Sequence, residues 1–136
     1  MLRLPRFHYR RATSVTEAAA ILAGEGAAEG RVRVVAGGTN LWPNMKRRHQ
    51  KADTVVGLTA IPELCGFRVV GAGGELRLGA TTTLAEIAES PDVRARWPAL
   101  ARAVASISSP PLRNMGTIGG NVCIDTRCTY YNQTEE

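Results

Sequence analysis

The chain has 136 residues, 44% of them hydrophobic and 21% charged, with a formal net charge of +5. That length suits one compact domain or two very small ones, and the balance is that of a folded chain rather than a disordered one. No apolar run approaches the roughly 20 residues needed to cross a bilayer, and no continuous apolar stretch follows Arg3 and Arg6, so neither a membrane span nor a secretory signal is predicted and a cytoplasmic location is expected.

Phe7 to Arg11 reads as a short extended lead-in. Ser14-Val15-Thr16-Glu17 then fits a capping box, in which Ser14 accepts from the Glu17 N–H and the Glu17 side chain reaches back. The helix runs through Leu22 and stops at Gly24 or Gly26. A strand follows, through Val32, Arg33, Val34 and Val35, and enters Ala36-Gly37-Gly38-Thr39-Asn40-Leu41. A short helix over Asn40 to Lys46 tolerates Pro43 in its first turn. Thr54 to Leu58 is a second buried strand, so residues 1–58 form a small βαβ-like lobe.

Ile61-Pro62-Glu63-Leu64 suggests one helical turn. Phe67-Arg68-Val69-Val70 and Glu75-Leu76-Arg77-Leu78 flank Gly71-Ala72-Gly73-Gly74, a hairpin signal. Thr83-Leu84-Ala85-Glu86 is a second capping box, opening a helix to about Glu89. Pro91 separates it from Asp92–Arg96, and Pro98 to Ile107 reads as a helix ended by Ser108-Ser109-Pro110-Pro111. No regular element is predicted from there to Asn121. Residues 59–136 therefore read as a second α+β lobe with little to close its sheet.

The basic residues cluster at Arg3, Arg6, Arg10 and Arg11, and again over Lys46 to Lys51. Neither cluster is interleaved with aromatics and no nucleic-acid motif is present, so a solvated face or a protein-docking surface is expected. Cys65, Cys123 and Cys128 are an odd set, which argues against a disulfide framework; Cys65 reads as a buried small apolar residue. His8 and His49 lack partners at metal spacing, and Trp42 and Trp97 read as core anchors. No paired carboxylates or activated serine suggest a catalytic set.

Two glycine loops carry the chemistry: Gly37-Gly38-Thr39-Asn40 and Gly116-Thr117-Ile118-Gly119-Gly120-Asn121. Holding a pyrophosphate takes several backbone N–H donors aimed at one place, and glycine allows this by reaching φ > 0 and by lacking a Cβ. A helix start after the loop adds further donors, with Thr39 and Asn40 free to donate or cap. Either loop alone also suits a plain turn. Neither matches G-x-G-x-x-G or the P-loop.

The pair, in this order, resembles the FAD-binding motifs of the flavoprotein subunits of molybdenum hydroxylases, which serve carbon monoxide, xanthine and aldehyde dehydrogenases. Ala36–Leu41 and Arg113–Asn121 carry the likeness, supported by Gly79-Ala80-Thr81-Thr82-Thr83-Leu84 and Trp97-Pro98-Ala99-Leu100. The resemblance implies an α+β, two-lobed fold of the CO-dehydrogenase-flavoprotein type. It implies FAD contacts at Ala36, Gly37, Gly38, Thr39, Asn40, Leu41, Thr117, Gly119, Gly120 and Asn121, and a ribose or hydroxyl partner in Asp125. The partners implied are a molybdopterin-binding large subunit and a [2Fe–2S] small subunit, with neither nucleic acid nor membrane.

A narrower likeness covers Gly119 to Gln133, which resembles the β subunit of 4-hydroxybenzoyl-CoA reductase. There a cysteine-bearing insertion holds an extra [4Fe–4S] cluster, which implies Cys128 as its first ligand, with Cys123 a neighbour that is not a ligand. Four thiolates are the usual complement, so no complete cluster is expected within these 136 residues. The alternatives are an aldehyde, xanthine or CO dehydrogenase subunit and, from another class, a non-catalytic basic binding module whose glycine loops are purely structural.

Overall fold

The computed structural model describes residues 3–24 and 28–124. Its first five elements are β1 (His8–Arg11), α1 (Val15–Leu22), β2 (Val32–Val35), α2 (Leu41–Lys46) and β3 (Thr54–Gly57). β3 lies between the other two strands and is parallel to both, with Val56 opposite Arg10 on one side and Val34 on the other. The lead-in is therefore a full strand. Its residues, His8-Tyr9-Arg10-Arg11, are all exposed and show no apolar alternation, so only backbone pairing reveals it.

Successive strand side chains point to opposite faces, and β3 uses both. Val55 and Val56 are each fully buried. Val55 packs with Val35, Leu41, Met45 and Ala52 beneath α2, while Val56 packs with Ala12, Ala18 and Ile61 beneath α1. A fully buried valine is worth about 1.5–3 kcal/mol, so the middle strand anchors a layer on each side. Phe7 stacks on Trp42 at 5.6 Å between ring centroids, which pins the start of β1 to α2.

A 3₁₀ turn at Pro62–Leu64 leads to a hairpin of β4 (Phe67–Val70) and β5 (Glu75–Leu78), paired from Phe67 with Leu78 to Val70 with Glu75. Cys65, expected to be buried, is exposed. It follows the 3₁₀ turn, outside the three buried clusters, and its thiol sits 3.3 Å from the Ile61 carbonyl. The hairpin's Phe67, Leu76 and Leu78 pack against a core of Leu84, Ile87, Ala88, Val93, Ala101 and Val104. That core is built by α3 (Leu84–Glu89), α4 (Pro91–Arg96) and α5 (Pro98–Ala105). Trp97 packs there under the Arg96 guanidinium, 4.7 Å from its ring centre.

Pro91 does more than separate two helices. It opens α4 behind Ser90, whose Oγ accepts from the Val93 N–H at 3.3 Å. Proline lacks an N–H and suits a first helical turn, where that group would have no partner. The same physics corrects the reading of residues 108–121. Pro110 and Pro111 begin α6 (Pro110–Met115), and Thr117 caps α7 (Ile118–Val122). Glycine costs about 1 kcal/mol in a helix interior relative to alanine, so Ile118-Gly119-Gly120 gives no local helix signal and the segment is held by tertiary bonds instead.

The two capping boxes differ. At Thr83 both halves form: the Glu86 N–H donates to Thr83 Oγ1 at 3.2 Å, and the Thr83 N–H donates to Glu86 Oε2 at 2.7 Å. At Ser14 the Glu17 N–H donates to Ser14 Oγ at 3.1 Å, but the Glu17 carboxylate reaches one residue further, accepting from the Thr13 N–H at 2.8 Å and its hydroxyl at 2.9 Å. These Thr13 bonds hold the Glu17 pKa below its ordinary value of 4.5.

Thr83→Ala removes one half of the complete box and should lower the unfolding free energy by about 1 kcal/mol, measured by urea denaturation. Because the Glu17 pKa is lowered in the fold, its contribution is present above pH 4.5 and is lost as pH falls through the folded-state value. Glu17→Gln should therefore flatten the acid limb of a stability-against-pH profile below that point while leaving its slope near neutrality unchanged.

Candidate functional site

β2 delivers the chain to the first glycine loop. Val35 is buried in the sheet, and Ala36 leaves at its carboxyl edge. Gly37 then meets the other half of the molecule: a Cβ here would overlap the backbone carbonyl of Met115, directly before the second loop. Gly38 has φ of 71°, a left-handed conformation that favours glycine. Its missing Cβ also leaves the place where the Trp42 indole Nε1 lies. The Gly38 carbonyl accepts from the Trp42 N–H at 3.1 Å, which starts α2.

The N–H groups of Gly37, Gly38, Thr39 and Asn40 donate to no acceptor among the described residues. Four successive donors without a partner on a turn are available to an anion. α2 adds little to them, since the helix has only six residues and the terminal field scales with aligned peptides. Asn40 does not cap α2. Its Oδ1 instead accepts from the Asn44 side chain at 2.9 Å.

The second loop is threaded along residues 80–84. The Leu84 N–H donates to the Gly116 carbonyl, the Ile118 N–H to the Thr82 carbonyl and the Gly119 N–H to the Ala80 carbonyl, each at 2.9 Å. An antiparallel bridge between Thr83 and Thr117 completes the seam. The seam is itself tied down, because Thr81 Oγ1 and Thr82 Oγ1 each donate at 2.6 Å, to the Leu64 and Gly66 carbonyls. Thr117 is only 5% exposed, and its hydroxyl oxygen accepts from the Gly120 N–H at 3.2 Å, which leaves the hydroxyl proton to donate.

Between the loops runs a cleft of about 410 Å³. One wall is residues 33–41 with Gln50. The other is Leu84, Ile107, Ser108, Leu112, Gly116, Thr117, Gly120, Asn121, Cys123 and Ile124. Of the expected contacts, Ala36, Gly37, Gly38, Thr39, Asn40, Leu41, Thr117, Gly120 and Asn121 are brought together here. Gly119 is not among the lining residues; it packs on Ala80, where a Cβ would stand 2.7 Å from the Ala80 side chain. Asp125 and Cys128 lie outside the described residues.

The sequence reading missed the apolar walls. Val34 is 43% exposed and Leu112 45% exposed, unusual for side chains inside a strand and a helix, and both face the cleft. A valine on an outer strand beside a glycine loop was the available signal for the first. For Leu112 the helix itself went unrecognised. No Asp, Glu or His lines the cleft among the described residues, and no three His, Cys, Asp or Glu side chains among them cluster at metal-binding distance. The arrangement offers hydrogen-bond donors to an anion and apolar walls to a planar group. No described helix is long and apolar enough to cross a membrane.

Comparison with known proteins gives this cleft its setting. The family model described as the FAD binding domain in molybdopterin dehydrogenase matches residues 5–131. The carbon monoxide dehydrogenase medium chain of Hydrogenophaga pseudoflava is 40% identical over 118 residues, which cover 87% of this chain and 39% of that one. The xanthine dehydrogenase FAD-binding subunit of Escherichia coli O157:H7 is 31% identical over 115 residues, 85% of this chain and 38% of its own length. Among solved structures, carbon monoxide dehydrogenase from Hydrogenophaga pseudoflava superposes with a TM-score of 0.79 at 39% identity, covering 88% of this chain and 40% of that one. Quinoline 2-oxidoreductase from Pseudomonas putida 86 does so with a TM-score of 0.76 at 30% identity, covering 87% and 39%. The chain thus spans about two-fifths of the length of these relatives. With its α+β, two-lobed architecture and paired glycine loops, the chain belongs to the family of FAD-binding domains of molybdopterin dehydrogenases.

Proposed function

We propose that this chain is the FAD-holding part of the medium subunit of a molybdenum-containing oxidoreductase. It would hold the flavin on an electron path shared with a molybdopterin-binding large subunit and a [2Fe–2S] small subunit. The observation that carries the reading is that Gly37 to Asn40, whose N–H groups donate to no acceptor among the described residues, line a cleft whose other wall includes Thr117 and Asn121. Those donors suit a pyrophosphate, and the close approach of Gly37 to Met115 leaves the backbone bare of side chains there. Bound FAD supplies two-electron and one-electron redox chemistry.

The protein's work is then binding and placement. Gly37 to Asn40 would donate backbone N–H groups to phosphate oxygens, with the Thr117 hydroxyl and the Asn121 amide as donors from the second loop. Val34, Ile107 and Leu112 would cover the apolar parts of the cofactor and keep water from them. With no Asp, Glu or His in the described lining, substrate chemistry would belong to another subunit.

Two finer readings each have a supporting observation. The sequence from Gly119 to Gln133, with Cys123 and Cys128, supports the β subunit of 4-hydroxybenzoyl-CoA reductase, which removes the phenolic hydroxyl of an aromatic thioester. The 40% identity to a carbon monoxide dehydrogenase medium chain supports a dehydrogenase of that kind. A cluster does not fit this chain alone: Cys128 would be one ligand of the four usually required.

Gly37→Ala forces a methyl group into the Met115 carbonyl and should cost about 1–3 kcal/mol of stability by overpacking. In the complete gene product it should also weaken FAD binding at least tenfold, read from flavin co-purification and from titration of the apoprotein. Wild-type affinity in a folded Gly37→Ala protein would count against the two-loop clamp. Reading the native gene beyond Glu136 and assaying iron separates the finer readings. The reductase requires three further cysteines and about four extra irons per subunit; their absence leaves the dehydrogenase.

A further inference from the structure

We propose that Arg113 is a positioning residue for the cleft: it locks Ser108 in a left-handed turn and so fixes the wall that Ile107 and Ser108 present to the bound cofactor, an inference that rests on the flavin reading above. Ser108 and Arg48 are the two non-glycine residues with positive φ among the described residues, and of these Ser108 lines the cleft. Its φ is 52°. A serine in that region crowds its own Cβ against the backbone, so the conformation persists only where its surroundings over-determine it. α5 ends just before it, with the Ile107 N–H donating to the Val104 carbonyl at 3.2 Å.

The restraint comes from one nitrogen. Arg113 Nη1 donates to the Ile107 carbonyl at 3.0 Å and to the Ser108 carbonyl at 3.1 Å. Neither carbonyl accepts from any other group among the described residues. The two carbonyls belong to the peptide planes on either side of the Ser108 Cα, so holding both at one point fixes φ and ψ of Ser108 together. Swinging either plane toward a relaxed, negative φ breaks one of the bonds. The donor is a guanidinium, and charge-assisted hydrogen bonds are roughly twice as strong as neutral ones. Arg113 makes no ion pair among the described residues, so no carboxylate there draws it from the turn. It stands on α6, between Leu112 in the cleft wall and Met115, whose carbonyl meets Gly37. The end of α5 is thereby referred to the same short helix that sets the contact between the glycine loops.

The test uses the complete gene product, stripped of flavin, as wild type, Arg113→Met, Arg113→Lys, Ser108→Gly and the Arg113→Met/Ser108→Gly pair. FAD is titrated by fluorescence below the unfolding transition of each apoprotein, so that affinity is read on folded protein. Arg113→Met keeps a long side chain but loses the donors, and should weaken FAD on the order of tenfold, mostly through faster release. Arg113→Lys retains a cationic group with enough donors for both carbonyls and should recover most of that loss. Glycine reaches positive φ without the Cβ penalty, so in the Ser108→Gly background the Arg113→Met step should cost about threefold or less. If Arg113→Met does not fold, Arg113→Gln takes its place in both backgrounds. Wild-type affinity in Arg113→Met would overturn the proposal. So would an equal loss in the two backgrounds, which would put the guanidinium to work somewhere other than the Ser108 turn, and so would Arg113→Lys binding no better than Arg113→Met. If wild type does not bind FAD, the flavin reading fails and the positioning role with it, whereas an unaffected Arg113→Met beside a normal wild type rejects the positioning role alone.

Discussion

The approach of Gly37 to the Met115 carbonyl is the constraint on which the site depends. Two lobes with separate cores meet there backbone to backbone, with no side chain between them. The spacing of the two loops is therefore set by main-chain van der Waals contact, the stiffest available ruler, rather than by flexible side chains. Behind it, the seam from Ala80 to Leu84 fixes the second loop to the hairpin lobe through main-chain bonds, and Thr81 and Thr82 fix the seam to the linker at Leu64 and Gly66. Each loop is thus positioned by its own lobe, and the glycine contact joins the two.

This arrangement explains why the glycines have different duties. Gly37 keeps the lobes in contact. Gly38 turns the chain and admits Trp42, which in turn stacks on Phe7 and ties the loop to the sheet. Gly119 packs on Ala80 and spends its N–H there, while Gly120 faces the cleft and spends its N–H on Thr117. The first loop keeps its donors unpaired and the second uses several of its own to hold shape. The pair of loops is consequently asymmetric, one with free backbone donors among the described residues and one whose N–H groups mostly hold its own shape.

Much of this was legible in the sequence because the signals were local. The Thr83–Glu86 box, the hairpin around Gly71–Gly74 and the strand entering Gly37-Gly38 are written in adjacent residues. What escaped was held by distant partners. β1 has four exposed side chains and exists because β3 pairs with it. α7 runs through two glycines because Thr82 and Ala80 accept its first N–H groups. Glu17 reached Thr13 rather than Ser14, a choice of acceptor that the spacing alone leaves open. In the cleft the polar loop residues were readable from their chemistry, whereas Val34, Ile107 and Leu112 look in sequence like ordinary core residues. Only the assembled packing shows that they face a cavity.

The strand order carries a consequence for how the protein is made. β1 and β2 do not touch; each pairs only with β3, the last of the three to be synthesised. Until Thr54–Gly57 has left the ribosome, neither earlier strand has a partner and α1 and α2 have no sheet to cover. The first lobe thus closes in one late, non-local step rather than growing strand by strand. During that interval the nascent chain presents Val32–Val35 as an unpaired strand, open to wrong pairing before the glycine loop beside it can take shape.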